Sequence, residues 1–344
     1  QLIKKLINKG VKREQTLMIN FEDPRFVNLD AKLLNRIYEV YLETFNPQQK
    51  PYIFLDEVQE VKNWEKWVRT IQELNKAKII LSGSNAELLS QELSSLLTGR
   101  HLDIVIFPLS FREFLKFNKI KIQDKLDLIN KRIEVKHWFK KYLEFGSFPE
   151  VVLNKEKKQI LLTYFDDVLN KDLIKRYQVR KREKLKSLAR FYFSNFSSLT
   201  TFNSLEKSLR FSADTIEKFS QYFQTAYLVF FLKRFSFKVK EQEKSPRKVY
   251  VIDSGLANMV GFRFSQNLGR LAENIVFLEL ERKRLINPKW EIYYWKDIQH
   301  REVDFLIKEN LKIKQLIQVS WDLSQAQTRN REIESLLKGM KGLK

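Results

Sequence analysis

A chain of 344 residues, 43% hydrophobic and 31% charged, is long enough for two or three domains that each bury a core, and its composition is that of a folded protein rather than a disordered one. The 63 Lys and Arg against 42 Asp and Glu give a formal net charge of +21, which favours contact with polyanions. The abundance of Lys, Ile, Asn and Phe beside scarce Ala and Gly fits a genome-wide bias equally well, so charge by itself does not establish a nucleic-acid partner. The absence of Cys excludes disulfides and thiolate metal sites, and the His residues at 101, 137 and 300 are too scattered for a zinc cluster. No run of about 18 apolar residues occurs and no charged-then-apolar leader is visible. The expectation is a cytoplasmic protein with no membrane partner.

The first 115 residues alternate helix and strand. Leu2, Ile3, Leu6 and Ile7 are spaced for one helix face, Thr16 to Phe21 reads as a strand, and Ala31 to Phe45 as an amphipathic helix. Residues 52 to 55 and 78 to 82 read as buried strands joined by a crossover helix from Trp64 to Leu74, and residues 104 to 107 as a further short strand closed by Pro108. Such alternation predicts an α/β fold with a parallel sheet. The stretch Tyr52-Ile-Phe-Leu-Asp56-Glu57 is an apolar run that stops at adjacent carboxylates, which are costly at the end of a buried strand without a cation. It reads as a Walker B element, with Asp56 binding Mg²⁺ and Glu57 orienting and deprotonating the attacking water. No Gly-x-x-x-x-Gly-Lys-Ser/Thr loop occurs in the chain. The expectation is that the first strand and the phosphate-gripping loop lie upstream of Gln1; the alternative is a chain with no nucleotide site.

From about 110 to 190 the periodicity is helical, broken at Gly146-Ser147-Phe148-Pro149, and Leu161 to Arg176 carries Tyr164, Phe165, Val168, Leu169 and Leu173 on one face. The basic run Lys171 to Arg182 is either a phosphate-contacting face or a solvated helix side. From 184 to 252 the pattern is three short helices and a hairpin of Phe230 to Val239 with Arg247 to Ile252, its basic tip at residues 240 to 248. That order predicts a winged helix, whose second helix would read DNA or merely pack against a neighbour. The last portion runs helix (Asn267 to Lys283), strands (Glu291 to Trp295, Glu302 to Ile307, Gln315 to Val319) and helix (Thr328 to Leu337). Glu273 and Asp304 fall where PD-(D/E)XK nucleases hold Mg²⁺, but the expected Glu-x-Lys of the third strand is Gln318-x-Ser320. A neutral amide cannot replace a carboxylate on a metal, so the site reads as vestigial, unless Lys296 or Lys314 fills the gap.

The ordered set YIFLDEVQ, ILSGSNAELLS, LLTGRHLDIVIFPLSFREFL, YLEFGSFPEVV, KVYVIDSGLAN, REVDFLI and LIQVS covers nearly the whole chain. It resembles a prokaryotic family of predicted P-loop ATPases of the AAA+/STAND-like type with a C-terminal DUF4143 domain. The resemblance implies ATP and Mg²⁺ as cofactors, with Asp56 on the metal side and Glu57 as base. It further implies Ser82 and Ser84 near the γ-phosphate and Arg100 as an arginine acting in cis or in trans. Ser84 as a helix cap and Arg100 as an ion-pair residue are the structural alternatives. The expected organisation is an ATPase core at 1–115, a helical lid at 116–183, a winged helix at 184–252 and a PD-(D/E)XK-like domain at 253–344. The function expected is an ATP-dependent switch acting on a protein client or DNA; a DNA-binding regulatory module and an active nuclease are the competing readings.

Overall fold

The structure, a computed structural model, describes residues 2–83, 101–262 and 267–343. The chain divides into two compact units, Gln1–Ile104 and Val105–Lys344. No helix among the described residues is long and apolar enough to cross a membrane.

In the first unit α1 (Leu2–Asn8) precedes β1 (Thr16–Asn20), α2 (Ala31–Phe45), β2 (Tyr52–Asp56), α3 (Trp64–Glu73) and β3 (Lys78–Leu81). The strands form a parallel sheet in the order β1-β2-β3, with Asn20 level with Asp56 and Leu55 level with Leu81. Asp30 caps α2 by accepting the Leu33 N–H at 2.9 Å, which satisfies one of the orphan donors of the first turn. Leu34, Tyr38 and Tyr41 on α2 and Trp64, Trp67, Val68 and Ile71 on α3 are buried at helical spacing. Tyr38 and Trp67 meet edge to face at 5.9 Å, so the two helices share one core with Ile53 and Leu55 of the central strand. Residues 104 to 107 do not form the expected strand. Ile104 and Ile106 are exposed, while Phe107 turns onto Phe230 and Tyr227, so the apolar alternation there serves a single aromatic anchor.

The second unit begins with helices α4 (Phe111–Phe117), α5 (Lys125–Asn130), α6 (Arg132–Phe145), α7 (Pro149–Leu153) and α8 (Lys157–Asp167). The helix expected from Leu161 to Arg176 continues past α8 as a π-helical stretch, Val168–Lys175, which keeps Leu169, Leu173 and Ile174 buried. Then come α9 (Arg182–Ser194), β4 (Ser198–Thr200), α10 (Phe202–Leu209), α11 (Ala213–Thr225), β5 (Val229–Leu232), α12 (Val239–Lys244) and β6 (Arg247–Val251). These strands form an antiparallel sheet in the order β4-β6-β5. The strand expected from Phe230 to Val239 therefore ends at Leu232, and the tip carries a short helix. The backbone leaves the hairpin because it has another partner: the Tyr294 N–H donates to the Lys233 carbonyl at 3.0 Å and the Phe235 N–H to the Tyr294 carbonyl at 2.7 Å.

After α13 (Ser254–Val260) and α14 (Leu268–Ile286), the strands β7 (Trp290–Lys296), β8 (Glu302–Glu309) and β9 (Lys312–Ile317) form an antiparallel meander followed by α15 (Ala326–Gly342). Tyr250 of β6 stacks on Phe277 of α14 at 4.1 Å, and both rings lie against Phe305 of β8, which packs the hairpin, the helix and the meander into one core.

The motifs around Gly146 and Asp253 form a clasp. Asp253 caps α13 through the Leu256 N–H at 3.0 Å and accepts from the Ser147 N–H at 2.7 Å and the Ser147 hydroxyl at 3.0 Å. In return, Ser254 Oγ donates to the Tyr142 carbonyl at 2.9 Å and Asn258 Nδ2 to those of Leu143 and Glu144, so the last carbonyls of α6 are satisfied by α13. Gly146 has φ 76 and ψ −155, a region open essentially to glycine, and a Cβ there would lie 2.0 Å from the Asp253 carboxylate. Gly146→Ala is expected to lower stability by about 2 kcal/mol or more, from backbone strain and the clash together. A urea-unfolding midpoint that does not move would contradict this account of the clasp.

Candidate functional site

The carboxyl edge of the parallel sheet brings Asn20, Asp56 and Ser82 side by side at the ends of β1, β2 and β3. Ser82 Oγ donates to Asp56 Oδ1 at 2.5 Å, and the backbone ladder continues past β3, with the Ser82 N–H on the Leu55 carbonyl at 2.9 Å and the Val58 N–H on the Ser82 carbonyl. Asp56 is thus oriented by a hydroxyl on the neighbouring strand and remains half-buried. Glu57 follows with φ 53 and ψ 41, a left-handed conformation that costs a residue with a Cβ about 1 kcal/mol or more. This strained turn ends the strand immediately after Asp56 and redirects the chain, while Gln59 Nε2 donates to Glu57 Oε2 at 2.5 Å. Among the described residues no Lys or Arg forms an ion pair with Asp56. A hard carboxylate, a hydroxyl and an amide oxygen at the mouth of a parallel sheet, with the carboxylate left open to an outside cation, are a donor set that fits Mg²⁺. Ser84 and Arg100 lie outside the described residues.

A second cluster lies in the C-terminal half. The structure brings Glu273 of α14 together with Glu302 and Asp304 of β8, and places the ammonium of Lys248, from β6, among them. Lys248 Nζ lies 2.8 Å from Glu273, 2.7 Å from Glu302 and 2.8 Å from Asp304, and the residue is 3% exposed. Tyr250, two residues along the same strand face, donates its hydroxyl to Glu273 at 2.7 Å. Gln318 does not reach the ammonium. Its Oε1 accepts the Asp304 N–H at 3.3 Å and its Nε2 donates to Glu332 at 2.6 Å, so it steadies the strand that carries Asp304. The second oxygen of Asp304 accepts the Val319 N–H at 2.9 Å. Lys296 lies 3.3 Å from the outer oxygen of Glu302, whereas Lys314 pairs with Glu309.

Electrostatics follow from this geometry. Burial opposes the Lys248 charge, but Glu273, Asp304 and Glu302 together hold its pKa above the ordinary lysine value. Burial pushes the Glu273 carboxyl up to about 7 against the pull of Lys248, with the Asp304 charge adding to the rise. Asp304 is also raised, chiefly by burial. Burial and the charge of Glu273 carry Tyr250 well above its usual value.

Family comparisons match three successive segments of the chain. A model described as an AAA domain matches residues 1–115, a domain of unknown function, DUF8612, matches 136–267, and another, DUF4143, matches 268–342. An uncharacterized protein of Methanocaldococcus jannaschii is 36% identical across 98% of this chain and 75% of its own length. One of Haemophilus influenzae is 29% identical across 93% of this chain and 78% of its own length. The chain belongs to this family of P-loop ATPase-like proteins, which join an N-terminal AAA domain to a C-terminal DUF4143 domain. A Walker-type ATPase of Pyrococcus abyssi overlays at a TM-score of 0.44 with 9% identity, covering 75% of this chain and 86% of that one.

Two outcomes follow from the buried ammonium. Lys248→Met removes one partner of a buried network and leaves its carboxylates uncompensated, so it should cost about 3–5 kcal/mol in a urea titration. Glu273 keeps its proton in the folded state up to about pH 7 but loses it near 4.5 when unfolded. Stability should therefore fall as pH rises between these values, and Glu273→Gln should flatten that part of the profile. A profile of unchanged slope in the variant would refute the assignment.

Proposed function

We propose that the protein is a Mg²⁺-dependent ATPase whose nucleotide state repositions its C-terminal half, and that the Asp56–Ser82 pair at the end of β2 is the observation that carries this reading. When bound, ATP with its metal would supply the scissile phosphoanhydride. Asp56 would hold the metal side, kept in one rotamer by the Ser82 hydroxyl. Glu57 would take the proton of the attacking water at its carboxylate, and the left-handed turn at Glu57 fixes the point at which its side chain leaves the strand. Ser84 and Arg100 are proposed as γ-phosphate contacts. The reading requires a phosphate-gripping loop, which these 344 residues do not contain.

The middle segment is proposed as a winged helix, supported by the run helix, strand, helix, helix, strand, short helix, strand from α9 to β6 and by the order β4-β6-β5. For the C-terminal segment, helix then meander supports a PD-(D/E)XK-like ancestry. The Lys248 ammonium supports loss of nuclease function, because it already sits among the carboxylates that a metal would need.

In a protein that carries a phosphate-gripping loop together with these residues, Glu57→Gln should lower ATP turnover by about 10²- to 10⁴-fold while leaving ATP binding measurable. Absence of both binding and turnover in the unaltered protein would remove the proposal. Mg²⁺-dependent cleavage of DNA that is lost in Asp304→Ala would overturn the reading of the C-terminal cluster.

A further inference from the structure

The turn between the π-helical stretch and α9 reads Arg176-Tyr177-Gln178-Val179-Arg180-Lys181-Arg182. Lys175, Arg180, Lys181, Arg182 and Arg190 are exposed, because Leu185, Leu188, Ala189, Tyr192 and Phe193 commit the opposite face of α9 to the core. Nearby, Lys171 pairs with Asp167 at 3.6 Å and Lys186 with Glu183 at 3.9 Å. The other cations from Lys175 to Arg190 have no carboxylate partner among the described residues, and the Arg176 Nη1 is buried without an acceptor. A buried guanidinium N–H without an acceptor is costly.

Two ring contacts extend this turn into a wider surface. Tyr177 stacks on Tyr222 of α11 at 3.7 Å, and the Lys184 ammonium lies 4.9 Å from the centre of the Phe211 ring, in the turn between α10 and α11. That turn starts with Arg210, exposed and left-handed at φ 57. Arg180, Lys181, Arg182 and Arg210 therefore belong to one basic face, built largely from guanidinium groups that fit phosphate oxygens in pairs.

The chemistry of the neighbours narrows the partner. Between Leu162 and Phe237 no large apolar side chain is exposed, so the face offers nothing to insert into a bilayer. The outward side chains of α11 include Asp214, Glu217, Lys218 and Gln221, with more acid than base, so that helix is unsuited to a groove lined by phosphates. We propose that the face around Arg180–Arg182 and Arg210 binds the phosphate backbone of a nucleic-acid duplex, independently of base sequence. The inference stands apart from the ATPase reading.

The test uses the whole chain and fluorescence anisotropy of a labelled DNA duplex of about 20 base pairs, at salt from about 50 to 200 mM. The triple variant Arg180→Glu, Lys181→Glu, Arg182→Glu should weaken binding at least about tenfold and lower the log–log salt slope by roughly 2 to 3. The same charge change at exposed Lys4 and Lys5 of α1 and Lys9 just after it should leave affinity within about twofold, with both variants checked for folding by circular dichroism. A duplex RNA should compete, since the phosphates are shared, and poly-glutamate should not. Equal losses in the two triple variants would mean that only net charge attracts the duplex, and would overturn the proposal. So would absence of binding at low salt, or poly-glutamate competing as well as nucleic acid.

Discussion

A lysine ammonium sealed among three carboxylates is the constraint on which the C-terminal half of this molecule depends. Each charge alone would be too expensive to bury; the ammonium offsets part of the carboxylates' charge, and the arrangement stands only while β6, α14 and β8 keep their places. The stacked Tyr250, Phe277 and Phe305 rings supply the apolar area around this polar centre, and the Tyr250 hydroxyl returns to the cluster through Glu273. Apolar packing and ion pairing thus hold the same elements from two sides.

The contrast with the edge of the parallel sheet is instructive. Both places collect carboxylates at strand positions that a cation would stabilise. In the second unit the chain provides that cation itself from β6. In the first, Asp56 has a hydroxyl beside it and no basic partner among the described residues. A carboxylate satisfied internally is part of the scaffold, whereas one beside a neutral hydrogen-bond donor keeps its charge without an internal counter-ion.

Much of this was legible in the chain because its signals are local. An apolar run that stops at adjacent acids announces Asp56 and Glu57, and the next apolar run, ending at Ser82, announces the neighbour. Lys248 was hidden because it follows a charged loop and reads as its last residue. The usable signal was the alternation of Lys248, Tyr250 and Ile252 against Val249 and Val251, which puts Lys248 on the same face as a tyrosine bound for the core. The expected strand at 104 to 107 has the right pattern, but among the described residues it pairs with no strand, and Phe107 packs against Tyr227 and Phe230 instead. The π-helical stretch escaped notice because Leu169 and Leu173 keep a spacing that an ordinary α-helix would also allow.

The clasp between Ser147 and Asp253 joins positions 106 residues apart. During synthesis, the carbonyl end of α6 leaves the ribosome well before Ser254 and Asn258 exist to receive its hydrogen bonds. At about 5–20 residues per second that interval lasts several seconds. Through that time the end of α6 lacks the hydrogen-bond partners that the short helix after β6 supplies.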